Sequence, residues 1–283
     1  MSITKFSESP ADTVTDILIH DNIVYVSSWD CCLYAYDLYT QKLLYKKEVD
    51  YPVLKIAWKN GLFFSDSKGF IHFDDDKKIN FNIDGMLVME AYQDHFIIGG
   101  LSGKVCKFYD NGHTDVIDVS GKVYGSSIEN NNLLLNFGKK VGLYDLRNFN
   151  LIKYLHNKNS FRSVYTKKGK IYLGDIHGKL KIHDISTSEE VTVNAHIELK
   201  ENFKRVYPVN DIIYENYLYT CGSDGIVNRW KEEDKLKSRC IFKSNLGVLK
   251  MAAKNDKLVV ASGYNYEIGV ADTSENSIYT IIL

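Results

Sequence analysis

The sequence predicts an all-β chain closed into a seven-bladed β-propeller, and three observations carry that prediction. One phrase recurs six times: an apolar strand, a tight polar turn, then a second strand ending in an aromatic residue and an acid, or a close variant. The copies end at Asp37, Asp74, Asp110, Asp145, Asp184 and Lys231, at intervals of 37, 36, 35, 39 and 47 residues. That spacing is close to the roughly 40 to 45 residues of a WD-repeat propeller blade. Within each copy, short runs of Val, Ile, Tyr and Phe are separated by Gly, Asn, Asp and Ser, which is strand and hairpin chemistry, and no helical period is sustained. A degenerate seventh unit follows, VLKMAAKNDKLVVASGYNYE and then SIYTIIL, one strand short of a blade.

The six copies run in order as VYVSSWDCCLYAYD, LFFSDSKGFIHFD, FIIGGLSGKVCKFYD, LLLNFGKKVGLYD, IYLGDIHGKLKIHD and LYTCGSDGIVNRWK. Turn glycines recur at Gly69, Gly103, Gly178 and Gly225, where a hairpin needs a positive φ at little steric cost. Pro10, Pro52 and Pro208 each precede an apolar strand, which leaves the ladders their amide donors. Apolar alternation from Ile3 to Phe6 is expected to supply the missing strand, closing the ring and protecting its edges. Residues 1–283 read as one domain, with six blades the alternative count.

With 35 basic residues, 36 acidic ones and a net charge of -1, no global attraction to nucleic acid phosphate is expected. Five cysteines without a CxxC pair argue against a disulfide framework or zinc ribbon and for a reducing compartment. The N-terminus lacks a signal pattern and no apolar run approaches the ~20 residues of a membrane helix. A soluble, intracellular protein is expected.

No catalytic, cofactor or metal site can be assembled from the residues. Asp74-Asp75-Asp76 precedes Lys77-Lys78 and reads as a solvated turn. His177 and His183 lack further zinc ligands at suitable spacing. Gly99-Gly100-Leu101-Ser102-Gly103 precedes a strand rather than a phosphate-holding helix N-terminus. The vicinal Cys31 and Cys32 read as structural thiols. Lys200-Glu201-Asn202 spells a ubiquitin-ligase degron but sits in a loop leading into the strand Tyr207 to Asp211, where the tripeptide reads as incidental. In the same loop Lys200, Lys204 and Arg205 are a basic cluster that could meet acidic or phosphorylated peptide groups or simply be solvated. Trp29, in a turn between Ser28 and Asp30, is either a packing residue or a binding anchor. Trp58 and Trp230 read as core, and Tyr264 and Tyr266 are placed on the same rim as Trp29.

Specific strings add a resemblance. VYVSSWDCCLYAYDL, KVYGSSIENNNLLLNFGKKVGLYDLRN, KENFKRVYPVNDIIYENYLYTCGSDGIVNRW and VVASGYNYE resemble, in order, the spindle-checkpoint propellers of the budding-uninhibited-by-benzimidazoles group. SSWD and YPVN are shared with the Rae/Gle messenger-RNA-export propellers, whereas YDLRN favours the checkpoint group. The resemblance implies a non-enzymatic adaptor, monomeric within hetero-complexes, in the nucleus and at kinetochores with a cytoplasmic pool. It implies GLEBS-type peptides of checkpoint kinases or pseudokinases as partners, a kinetochore scaffold with phosphorylated MELT-like repeats, and in the export alternative a GLEBS-containing nucleoporin; membrane and direct DNA binding are not implied.

By the same resemblance Trp29 and Arg162 stand at peptide-binding rim positions, Lys179 replaces a common arginine and loses its bidentate fork, and Tyr124, His196 and Tyr207 match rim or near-rim positions. Lys200, Arg205 and Tyr264 complete the expected peptide-binding set. Where the group has Cys-His-Arg, this chain has Ala195-His196-Ile197, so an arginine of the expected phosphate surface is absent, and Lys200, Lys204 or Arg205 could replace its charge.

Overall fold

The computed structural model describes residues 2–109, 113–119, 121–201, 203–231, 236–264 and 276–283. Among them are seven four-stranded antiparallel sheets and one two-stranded sheet, the seven-bladed propeller that the repeat predicts. Blade one is typical, with strands Val14–His20, Ile23–Ser28, Cys32–Asp37 and Leu43–Glu48 in spatial order. The last sheet orders Gly247–Lys254, Lys257–Gly263, Ser277–Ile282 and Ser2–Lys5, so the N-terminal strand pairs with the C-terminal one. Its register sets Ile3 opposite Ile281 and Thr4 opposite Thr280.

Each core cluster joins two neighbouring blades. Tyr25, Leu33 and Ala35 of blade one pack with Val53, Ile56 and Phe64 of blade two, and Val24, Val26 and Tyr36 meet Val259, Ala261 and Ile278 of blade seven. Seven such clusters close the circle. Both faces of a blade are therefore covered, which is why strands such as CLYAYD are buried almost throughout instead of alternating. Each large apolar side chain sealed there, Leu33, Phe64 or Ile71 among them, contributes roughly 1.5–3 kcal/mol by leaving water.

Polar ties repeat from blade to blade. Thr15 Oγ1 donates to the carbonyl of Val53, Ser163 Oγ to that of Val209, and Asn210 Nδ2 to that of Val248. Each binds the first or second residue of the next blade's inner strand, so blade spacing is set by hydrogen bonds as well as by packing. In blades one, two, five and six that inner strand carries a bulge after its first residue, and in blade seven after its second. The bulged residue is left out of the ladder and the strand bends there; in blade five that residue is Arg162.

Candidate peptide-binding face

Antiparallel order divides the connections between two faces. The turn between second and third strands of every blade lies on the same side as the connection from one blade to the next, and the remaining turns lie opposite. Trp29, Lys179 and Tyr264 belong to second-to-third-strand turns or their ends; Tyr124, His196, Lys200, Arg205 and Tyr207 belong to blade-to-blade connections; Arg162 begins an inner strand just beyond one. The fold thus brings all nine to one face.

Trp29 is 41% exposed while its backbone is fixed. Its N–H donates to the carbonyl of Thr13 at 3.0 Å, Ser28 Oγ donates to the carbonyl of Asp12 at 3.1 Å, and Asp30 accepts from the Ala11 N–H at 2.8 Å and the Tyr34 hydroxyl at 2.6 Å. Burial, then the Asp30 carboxylate, pushes the Tyr34 hydroxyl pKa upward, so it stays a donor. An indole held out by a pinned turn loses little freedom when it is covered, which favours binding. Thr13 Oγ1 also donates to the carbonyl of Tyr264, whose N–H donates to Asn276 Oδ1. The half-buried Tyr264 therefore sits beside the Trp29 turn, and Tyr266 lies outside the described residues.

A second group lies between blades three and five. Tyr124 is 47% exposed, with its N–H on the carbonyl of Asn136 at 2.8 Å. Asn136 Nδ2 in turn donates to the carbonyl of Phe161 at 3.1 Å, next to the exposed bulge residue Arg162. Lys179 is exposed, its N–H held by Asp175 Oδ1 at 2.9 Å. A cavity of about 360 Å³ opens between Lys158, Lys179, Lys181 and the amides of Asn157 and Asn159.

His196 requires a correction. It is 0% exposed, so no partner can touch its ring. Trp230 Nε1 donates to Thr220 Oγ1 at 3.0 Å, and Thr220 Oγ1 lies 3.0 Å from His196 Nε2. His196 Nδ1 lies 2.9 and 3.0 Å from the two oxygens of Asp224. A carboxylate only accepts, so Nδ1–H is the donor to Asp224, and with Nε2 against the threonine hydroxyl both ring nitrogens have partners. Backbone closes the arrangement: Ala195 and His196 N–H both donate to Gly178 O at 2.8 and 2.9 Å. A Cβ at Gly178, φ +74, would collide with the His196 carbonyl. This network locks blade six onto the turn of blade five.

The stretch after His196 also differs from a plain loop. Ile197–Lys200 and Phe203–Val206 form a hairpin, and the next strand begins at Val209 rather than Tyr207. The connection is long enough, and alternates apolar with polar residues closely enough, to pair with itself. Lys200 reaches Glu198 at 3.3 Å, and Lys200 and Arg205 lie 5.6 and 5.2 Å from the Phe203 ring centroid. Tyr207, half-buried, donates its N–H to the His196 carbonyl at the hairpin's root. Of the degron-like tripeptide, Lys200 and Glu201 lie at the hairpin's end and Asn202 is outside the described residues.

Other candidate constellations resolve into local contacts. His183 is buried with its Nε2 2.6 Å from Lys153 Nζ, whereas His177 is exposed on the turn. Asp75 and Asp76 pair with Lys77 and Lys47, and Asp74 accepts from the Leu62 N–H. Cys31 lies in the turn at φ 64 and Cys32 starts the next strand. Trp230 is core, while Trp58 is only partly buried and stacks on His20 at 3.7 Å. Sequence reasoning passed over Leu101, Ile176, Leu199, Phe203 and Val206, all exposed apolar residues of the same face. An apolar residue inside a polar turn, as in Asp-Ile-His-Gly, was the available signal.

No protein-family profile matches the chain. Over 159 residues it is 26% identical to "Spindle assembly checkpoint protein bub3" of Schizosaccharomyces pombe, a match that covers 51% of this chain and 49% of that protein. The chain thus matches about half the length of that curated relative. The fold is similar to "Structure of U3-55K", with a TM-score of 0.85 at 11% identity over 99% of this chain and 98% of that one. It is also similar to "Crystal structure of RRP9 WD40 repeats", with a TM-score of 0.82 at 11% identity over 99% and 97% of the two chains.

Proposed function

We propose that this chain, a seven-bladed WD-repeat propeller similar to the Bub3 type, serves the spindle assembly checkpoint as a non-enzymatic adaptor. It binds GLEBS-type peptides of checkpoint kinases or pseudokinases, recruits them to kinetochores, and works from the nucleus with a cytoplasmic pool. The observation that carries the reading is the gathering of exposed Trp29, Tyr124, Arg162 and Lys179 on one face, with the backbone of Trp29, Tyr124 and Lys179 pinned by hydrogen bonds and Arg162 turned out at a bulge.

An aromatic anchor with cations around it suits an acidic peptide: the indole supplies apolar area, and the cations supply charge-assisted hydrogen bonds. Lys158 and Lys179, beside a cavity that Asp175 and the Glu190-paired Lys181 also line, add positive charge to the surface that lacks the expected arginine at Ile197. Reading of a phosphorylated MELT-like segment belongs to the same proposal, with lysine acting as a point charge rather than a fork.

Pull-down with an immobilised GLEBS-type peptide tests it. The unsubstituted chain is retained, and Trp29→Ala and Arg162→Glu are lost. Retention of both variants at the unsubstituted level would sink the proposal. Co-purification with a nucleoporin and poly(A) RNA, without checkpoint kinases, would move the assignment to messenger-RNA export.

A further inference from the structure

We propose that the 197–206 hairpin takes up a third strand, an extended partner segment of alternating apolar and acidic residues pairing along the Phe203–Val206 edge. The proposal deepens the peptide-binding reading above and rests on it for placing the partner on this face.

Among the described residues the hairpin's two strands pair only with each other, so both outer edges offer unpaired backbone groups, a template for strand addition. Register and one bond show which groups are free. Ile197 faces Val206, Glu198 faces Arg205, Leu199 faces Lys204 and Lys200 faces Phe203, and Tyr207 N–H donates to the His196 carbonyl. Hydrogen-bonded and open pairs alternate in an antiparallel ladder. The 198/205 and 200/203 pairs therefore close inward, and the N–H and C=O of Lys204 and Val206 point outward along one edge.

The side chains specify the segment. Directly opposite residues share a face, so Ile197, Leu199 and Val206 lie together on one side with Lys204, and Leu199 is 73% exposed there. The other side carries Phe203, 48% exposed, between Lys200 and Arg205. Lys200 is already paired with Glu198, whereas neither Lys204 nor Arg205 makes an ion pair among the described residues. An added strand that alternates valine-like and acidic residues sets its apolar side against Leu199 and Val206 and its carboxylates toward Arg205. An isolated two-stranded hairpin is marginal in water, and a third strand completes it.

The test is fluorescence anisotropy with a labelled synthetic peptide of alternating valine and glutamate, titrated with the full chain. The unsubstituted chain binds, and Val206→Thr, which keeps the N–H, stays within about twofold of it. Val206→Pro removes an outward donor without touching the hairpin's own bonds, and weakens binding about tenfold, the worth of roughly one backbone hydrogen bond. A probe N-methylated at alternate residues weakens equally on the unsubstituted chain, which decides the matter should Val206→Pro fold poorly. Absence of binding, or equal affinity for plain and N-methylated probes, overturns the proposal. Trp29→Ala separates the two readings: intact GLEBS-peptide binding by that variant, with strand-probe binding still sensitive to N-methylation, sinks the face reading and leaves strand addition standing. The reverse pattern sinks strand addition alone.

Discussion

Within the single connection from residue 195 to 208, His196 is sealed from solvent while Leu199, three residues on, is the most exposed large apolar residue described. The first half is tied to Gly178, Thr220 and Asp224, and through Thr220 to Trp230; the strands 197–200 and 203–206 pair only with each other among the described residues. The difference separates residues that hold the blades in register from residues that the fold leaves free for a partner. Position along the chain does not make that separation; burial does.

The largest effect that would break the comparison lies at the buried half. His196→Ala takes the ring donor from the Asp224 carboxylate and one partner from the Thr220 hydroxyl and leaves a cavity in a buried site, at a cost of about 3 kcal/mol. Thermal unfolding should show a clear fall in Tm; an unchanged Tm would place His196 among dispensable surface groups. At the rim, Trp29→Ala should cost about 2 kcal/mol of peptide affinity, with Tm held. Calorimetric titration and a melting curve on the same sample check both halves of that statement.

A smaller effect is expected at His183. Burial, then the neighbouring Lys153 ammonium, lowers its pKa below the ordinary 6.5. The folded state therefore binds this proton less readily than the unfolded state. Stability from keeping this ring neutral is fully present above pH 6.5 and is lost as pH falls below that value. His183→Gln should flatten stability against pH in that window, measured by urea unfolding at several pH values. Smallest of all, Leu199→Ser should shift stability by under about 0.5 kcal/mol, a test that the hairpin carries no share of the fold.

The blades were legible because every copy of the phrase repeats the same strand and turn chemistry at one spacing. Burial of Tyr36 and exposure of Trp29, seven residues apart, follow from the same unit. The burial of His196 is not legible in the sequence, because its partners Thr220 and Asp224 lie 24 and 28 residues away and only the folded blade brings them to the ring. The hairpin was hidden for the opposite reason. Its strands, Ile-Glu-Leu-Lys and Phe-Lys-Arg-Val, are plain in the sequence, but they fall between repeat units and so read as a loop. Arg162 owes its exposure to a bulge, which no residue pattern announced.

Amide hydrogen exchange across both faces, with and without a saturating GLEBS-type peptide, tests the central claim most directly. The account predicts new protection at Trp29, Tyr124, Arg162 and Lys179 and none at Asn22, Asn131, Gly169 or Asn255 in the turns of the opposite face. Protection confined to those opposite turns, with the Trp29 and Arg162 segments exchanging as before, would contradict it.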